Sequence, residues 1–427
     1  MAGDAATDRH AARVDPTAPP VDPPRAVVRL LLWGIGAAGV ALVHNRLWAS
    51  PNLEAFSQIA RSWGSDPFSD ASTSDYLLTN LSMPTIARIV GMTAPHRYAL
   101  LHLVVLLVGC AVCVALAQRH FGYRAARTLL VLVAVSPGVT VVFEWLGQPD
   151  ALTFPLGIAM VLVRRRWTFV ALALLAGLTH PEQAVLVVAC AAVVRALVTP
   201  PGAVADLPVR RPAWGQIPST VGGDLVMGLL GVAGARLVIE AYLRGYQIGL
   251  GRPRSDYLRL GVDLLVEHHG RAPASLVYLL WGPLWLVIAA VVVLRVLAAR
   301  RAGPDSYAWS WCVLGALSLA ALVPVAITLD ETRVYAVLTA PVLAGAAVVL
   351  SRELATLQPR ALAIGTGALL ALTLVLPGGF TAGADAWATE IPTGEFVEFL
   401  TTGDAPAPLF FWLLGPFDFV FPDVGGG

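Results

Sequence analysis

Lysine is missing from this chain: all 29 basic residues are arginine. No Schiff-base lysine, P-loop lysine or amine nucleophile is available, which removes several enzyme classes. Any phosphate the protein binds must be met by a guanidinium or a metal ion. Charge of either sign is scarce, at 13% of residues against about a quarter in soluble domains. With 57% of the 427 residues hydrophobic, a water-soluble fold is excluded. The net charge of +1 leaves no basic stripe, so nucleic acid is not a partner. Only four cysteines are present, Cys110, Cys113, Cys190 and Cys312, each inside an apolar run. Cys110 and Cys113 lie one helical turn apart and are small core residues rather than a redox pair. Internal repeats and fold-defining fingerprints are lacking too.

What the chain has is apolar length. The first 26 residues hold Pro16, Pro19, Pro20, Pro23 and Pro24 among Asp, Ala and Arg, a composition that buries no core and predicts a disordered tail. That tail is too long and too acidic for a signal-peptide n-region, and no small-x-small cleavage site follows the apolar run 27–43. This run is the first span. Ten more follow, at 99–117, 128–143, 151–163, 167–178, 183–198, 221–243, 275–294, 307–328, 334–350 and 361–376. The expected fold class is an all-α polytopic membrane protein with about eleven transmembrane helices. Its transmembrane domain is 27–377, its long outer loops are 45–98 and 244–274, and 378–427 is an extracytoplasmic C-terminal segment.

Arginine sets the orientation, since basic residues favour the cytoplasmic side. With the N-terminus inside, alternation puts 18 Arg inside and 10 outside, with Arg236 left within a helix. One segment is ambiguous. Residues 167–198 number 32, roughly 48 Å of helix against a hydrocarbon core of about 30 Å. Merging them into one span inverts everything downstream and weakens the bias to 16 against 12, so a hairpin is expected. The acids run the other way: nineteen lie in outer loops or the C-terminal tail. Acids count little for orientation, so their excess describes the outer face, where a cation or a protonatable site can be built.

In the first outer loop, Ser50 and Pro51 open a short helix whose apolar face is Leu53, Phe56, Ala60 and Trp63. It is expected to lie flat on the membrane. Asp66, Asp70 and Asp75 follow in an acidic turn, then a second amphipathic stretch to Val90. The second outer loop is short, and its Glu144 and Asp150 either bind a divalent cation through oxygen or satisfy two helix ends. His180 ends a helix too short to cross the bilayer, so it should sit at membrane depth beside a cavity. Arg333 either clamps a phosphate or pairs with Asp330. Arg252, Arg254 and Arg259 suit an anionic lipid head group or simple interfacial anchoring. The adjacent His268 and His269 diverge by about 100° on a helix and make a poor metal pair. Arg236 and Glu240, four apart, should neutralise each other inside span seven. The aromatic run at 409–421 belongs at the water interface or on a partner.

Two stretches carry a resemblance. NLEAFSQIARSWGSDPF at 52–68 and GQPDALTFPLGIAMVLVRRRWTFVALALLAGLTHPEQAVLV at 147–187 are similar to segments of the multi-span GT-C glycosyltransferases. They fall in that family's order within about the first half of the chain. The resemblance implies a GT-C-like fold with interfacial helices in the first outer loop. It also implies transfer of a hexosyl or pentosyl group, with inversion, from a polyprenyl-phosphate donor. The acceptor it implies is an envelope glycan, lipid or protein at the outer face of the plasma (inner) membrane. The family's catalytic acid commonly lies in an Asp-Glu pair seven residues ahead of an Ile-Ala-Arg step. Setting Ile59-Ala60-Arg61 on that step puts Asn52 and Leu53 at the pair. An amide cannot take the acceptor's proton, so Glu54 or Asp66 serves as base, or the chain keeps the fold without the chemistry. The resemblance gives Glu144 and Asp150 a metal role, with Mg or Mn, or an acceptor-orienting one. It gives His180 and Arg333 the donor phosphate, which Arg252 and Arg254, suited to an anionic head group, are expected to help bind. The alternatives are a transporter or flippase of an anionic lipid or solute, and a non-catalytic scaffold of an envelope-polysaccharide complex.

Overall fold

One helix organises the molecule. In Glu331–Glu353, 89% of the most apolar window is buried, whereas in Pro95–Ala134 only 28% is; the first is the axis of a helical bundle and the second faces lipid. The computed structural model describes residues 23–45, 53–63, 77–198, 217–247, 273–302, 306–326, 328, 330–356, 358–376, 378–382, 385–390, 393–403 and 409–411. Along the chain come α1 (Pro23–His44), α2 (Leu53–Arg61), a 3-10 turn (Leu77–Thr79), α3 (Ser82–Val90), α4 (Pro95–Ala134), α5 (Pro137–Glu144), α6 (Asp150–Leu162), α7 (Arg166–Thr179), α8 (Pro181–Val198) and α9 (Ile217–Gly245). After them come α10 (Pro273–Trp281), α11 (Leu284–Ala302), α12 (Ser306–Ala320), α13 (Leu322–Val325), α14 (Glu331–Glu353) and α15 (Pro359–Thr373). The chain ends in β1 (Phe380–Ala382), β2 (Asp385–Glu390), α16 (Thr393–Thr402) and β3 (Leu409–Phe411). Among the described residues six helices are long and apolar enough to cross a membrane, and four shorter apolar helices accompany them.

Several expected spans are broken, and each break has a local cause. Helix α4 is two legs: Gly122 has φ 87 and ψ 173, a left-handed extended conformation open to glycine and strained for any other residue. The chain turns back there, because Gly109 on one leg packs on Pro155 while Gly138, beyond the other, packs on Phe154. The run 128–143 is interrupted at Ser136, where Pro137 starts α5 and cannot extend the preceding helix. Run 275–294 breaks at Gly282, whose φ is 50, ahead of Pro283. The hairpin at 167–198 is present: α7 ends at Thr179 and α8 starts at Pro181. Its two far ends meet, because Arg195 Nη2 donates to the Arg164 carbonyl.

Glycine sets the closest helix approach. A Cβ on Gly231 of α9 would lie 2.8 Å from the Val170 carbonyl oxygen of α7, and one on Gly177 of α7 would lie 2.7 Å from Ala235 Cβ. In lipid, where water supplies no drive between helices, such small-residue seams carry the packing.

Charges sort to the two ends of the bundle. At one end Asp224 accepts from Arg166 Nε at 3.0 Å and Arg195 Nη1 at 2.8 Å. Arg164 reaches the His120 carbonyl, Arg124 the Ala355 carbonyl and Arg352 the Val198 carbonyl, while Arg295 pairs with Glu353. These are arginines that the sequence groups on one side. The opposite, acidic end holds Asn45, Glu144, Asp150, His180 and Asp330. In the last third of α9, Arg236 Nε pairs with Glu240 Oε1 at 3.0 Å, as their spacing predicts.

Two expectations change. The apolar face of α2 does not lie open for a membrane: Phe56, Ile59 and Ala60 are buried in one core with Tyr98 and Ala99 of α4 and Phe396 and Phe399 of α16. A second apolar core, formed by α2, α3, the start of α4, the end of α9 and α16, therefore caps the acidic end. The chain is also not purely α-helical. The C-terminal segment carries an antiparallel sheet in the order β1-β2-β3, with Phe380 opposite Trp387 and Thr389 opposite Phe410. Aromatic and β-branched residues after a Pro-Gly-Gly break favour strands there. Strand β1 packs on α5, α10 and α14.

Candidate functional site

The site begins from a tight apolar contact. A Cβ on Gly157 of α6 would lie 3.2 Å from both Ala340 Cβ of α14 and Val187 Cγ1 of α8. Seven residues toward the acidic end on these three helices stand Asp150, Arg333 and His180. Seven residues are two turns, about 10 Å of rise with only about 20° of rotation, so Asp150 and Arg333 return to the same seam, and His180 stands just ahead of α8 at their level. The ion pairs agree: Arg333 Nε lies 3.5 Å from Asp150 Oδ2, and Arg333 Nη2 lies 3.3 Å from Asp330 Oδ2. Asp150 is 1% exposed and Arg333 5%. These separations exceed those of direct charge-assisted hydrogen bonds, typically about 2.7–2.9 Å. A guanidinium has five coplanar donors, so it can face two carboxylates and still meet a phosphate.

Loop geometry delivers the acidic groups. Gly147 has φ 105, and a Cβ there would lie 2.7 Å from Leu53 Cδ1 and 3.2 Å from Leu53 Cα. Glycine is required on both counts, and the 144–150 turn is thereby pressed against the start of α2. Glu144, Gln148 and Asp150 are all buried in this turn. His180 leaves the helix with φ −154 and ψ 87. Its N–H donates to the Ala176 carbonyl and its own carbonyl accepts from Ala184 N–H, so the break loses little backbone bonding. Leu81 N–H donates to the Leu178 carbonyl at 2.9 Å, tying the start of α3 to the end of α7.

Beneath this cluster, along the bundle, lies an apolar cavity of about 380 Å³ lined by Trp281, Trp285, Trp311, Ser318, Ala336 and Leu350, among others. Along α14 it runs from Ala336 to Leu350, roughly 21 Å at 1.5 Å per residue. Ala336 is one helical turn from Arg333. Along α14 the groove thus begins one helical turn from buried Arg333, with the Trp281 ring edge-on to Tyr335 at 5.2 Å.

The expected site residues separate into groups. Asp150 and Arg333 pair at the acidic end, where Glu144 and His180 are buried as well. Glu54 does not join them inside: its side chain is 61% exposed and pairs with Arg61 on the same helix. It stands at the rim, next to the Leu53 that touches Gly147. Asp66, Arg252, Arg254, Asn52, His268 and His269 lie outside the described residues. Among the described residues no group of three or more His, Cys, Asp or Glu side chains is arranged to hold a metal. Asp150 faces a guanidinium, so a divalent ion bound to it would sit beside a like charge; that pair is a poor fit for Mg or Mn. Two buried residues were not singled out from sequence. His102 of α4, on the stripe with Gly109 and Cys113 that faces α6, bonds the Tyr98 carbonyl through Nδ1 at 2.7 Å. Gln183 stands in the first turn of α8.

No protein-family model matches the chain, and no curated protein does. Among solved structures it aligns with ArnT from Cupriavidus metallidurans in the apo state, at 16% identity and a TM-score of 0.46, over 81% of this chain and 64% of that one. The chain therefore spans less than two thirds of that protein's length. A likeness at this level decides neither activity nor substrate.

Proposed function

We propose that the protein is a membrane glycosyltransferase that takes a sugar from a polyprenyl-phosphate carrier. The observation that carries this is the apolar groove ending one helical turn below buried Arg333. An amphiphile with a long hydrocarbon tail and an anionic head matches that order of surfaces. The prenyl chain lies in the groove, its phosphate meets Arg333 with His180 beside it, and Arg252 and Arg254 draw the head group from the interface. The sugar sits under the 144–150 loop. Eleven passes, with the N-terminus in the cytoplasm, put this end at the outer face of the plasma membrane, which the arginine-rich opposite end supports.

The chemistry then needs a base, a nucleophile and a stabilised leaving group. A carboxylate of the first outer loop, Glu54 at the rim or Asp66, takes the proton of the acceptor hydroxyl. The hydroxyl oxygen attacks the anomeric carbon from the face opposite the phosphate. The carbon–oxygen bond to the carrier breaks with its electron pair, polyprenyl phosphate departs, and the anomeric centre inverts. Arg333 holds the charge that develops on the leaving phosphate in a water-poor site, where such stabilisation is strongest. Glu144 orients the acceptor. A transporter is not favoured: below the site α6, α8 and α14 close on Gly157, Val187 and Ala340, and the far end is laced shut by the Asp224 arginines.

Photolabelling tests the placement. A polyprenyl phosphate with a diazirine in its chain should label residues of α10, α12 and α14 that line the groove, and less so in Arg333→Ala. Label confined to the lipid-facing surface of α1 or α4, equal in both proteins, would contradict it.

A further inference from the structure

We infer that Gln183 is the residue that reads the carried sugar, and that the sugar is neutral. The inference rests on the donor-binding reading above. Gln183 is 4% exposed, and among the described residues neither its Nε2 nor its Oε1 has a hydrogen-bond partner. A buried amide left that way on both sides is costly. Nothing in the packing of α8 asks for it, because the positions below are Ala184, Val187, Val188, Ala191 and Ala192.

Its direction follows from the helix. Gln183 is one turn from Val187 and eleven residues from Val194, a spacing that keeps all three on one face. Val187 meets Gly157 of α6, and Val194 meets Gly345 of α14. The adjoining face, through Val188, meets Gly228 of α9 instead. Gln183 thus points into the seam of α6, α8 and α14, between the apolar contact at Gly157 and the level of Asp150, Arg333 and His180. It lies about 4.5 Å deeper than His180 along the helix axis.

Thr153 of α6 stands at the same depth, one turn from Gly157, buried and donating to the Pro149 carbonyl at 3.1 Å. An amide offers a donor and an acceptor side by side, which matches neighbouring hydroxyls of a pyranose or furanose ring. The facing side chains at this level, Gln183 and Thr153, carry no charge. They suit the hydroxyls of an uncharged sugar; the buried carboxylate one turn above, Asp150, is already paired with Arg333, so a charged amino or acid group would have to compete with that pair.

The experiment uses the full chain in lipid nanodiscs. Binding of unmodified polyprenyl phosphate is compared with carriers bearing β-glucosyl, β-mannosyl, β-arabinofuranosyl or a cationic 4-amino sugar. The wild type should favour at least one neutral glycosyl carrier over the bare lipid by about tenfold or more. Gln183→Met, close in volume but without the amide, should lose about tenfold of that preference while its melting temperature holds or rises. A preference that survives in Gln183→Met, a preference confined to the amino sugar, or a lowered melting temperature overturns the assignment of Gln183 alone. Failure of the wild type to bind any of these lipids, bare or glycosylated, overturns the donor-binding reading and this inference with it.

Discussion

Replacing Arg333 by methionine should destabilise the protein far more than replacing the pair it forms. Asp150 is 1% exposed and its cation 5%, with 3.5 Å between Nε and Oδ2. Removing the guanidinium leaves a carboxylate buried without its counter-charge, a change that costs about 3–5 kcal/mol. The second partner, Asp330, is a third exposed, and its contact is expected to contribute no more than about 1 kcal/mol. At 1.4 kcal/mol per decade the unfolding equilibrium should shift by roughly a thousandfold. Arg333→Met with Asp150→Leu removes both charges from the seam and should recover most of that loss. The assay is reversible unfolding of the purified protein in mixed micelles, followed by tryptophan fluorescence, on a full double-mutant cycle. A single-variant loss below about 1 kcal/mol, or losses that add within about 0.5 kcal/mol, would refute the coupling.

Other outcomes follow from the same geometry. Gly231→Ala would set a methyl 2.8 Å from the Val170 carbonyl oxygen and should cost about 1–3 kcal/mol. Gly222→Ala on the same helix meets nothing within 4 Å and should be neutral or stabilising by up to about 1 kcal/mol; melting temperatures of the two variants check this. Gly315 lines the groove and a side chain there has open space. Gly315→Phe should keep the melting temperature yet weaken long-chain polyprenyl phosphate relative to a two-isoprene analogue, as titration of both lipids will show. Of Glu54→Gln and Asp66→Asn, the one that removes the base should lower the transfer rate by about 100-fold or more.

Much of the fold was legible where a local rule decides it. Pro181 after His180 marks the hairpin between α7 and α8, and the 236/240 spacing gives the pair found on α9. The segregation of arginine from acid along the chain reappears as two chemically distinct ends. Other features needed partners remote in sequence. The amphipathic pattern of α2 reads equally as a membrane face or a protein face, and α16, more than 300 residues later, helps decide between them. Gly122 ends one leg of α4 and starts the next through a backbone torsion that an apolar run does not display. Asp150, the long-range partner of Arg333, is separated from it by seven helices. Gln183 was hidden because a single amide in an apolar helix looks incidental until its lack of a partner is seen.

Sugar transfer by the protein can be measured outright. Proteoliposomes carrying the wild type or Arg333→Ala are supplied with radiolabelled polyprenyl-phosphate sugars and envelope acceptors. Label should leave the carrier with inversion at the anomeric carbon in the wild type, and about 100-fold more slowly or worse in the variant. No transfer from any donor, or equal transfer by the two proteins, would contradict the account.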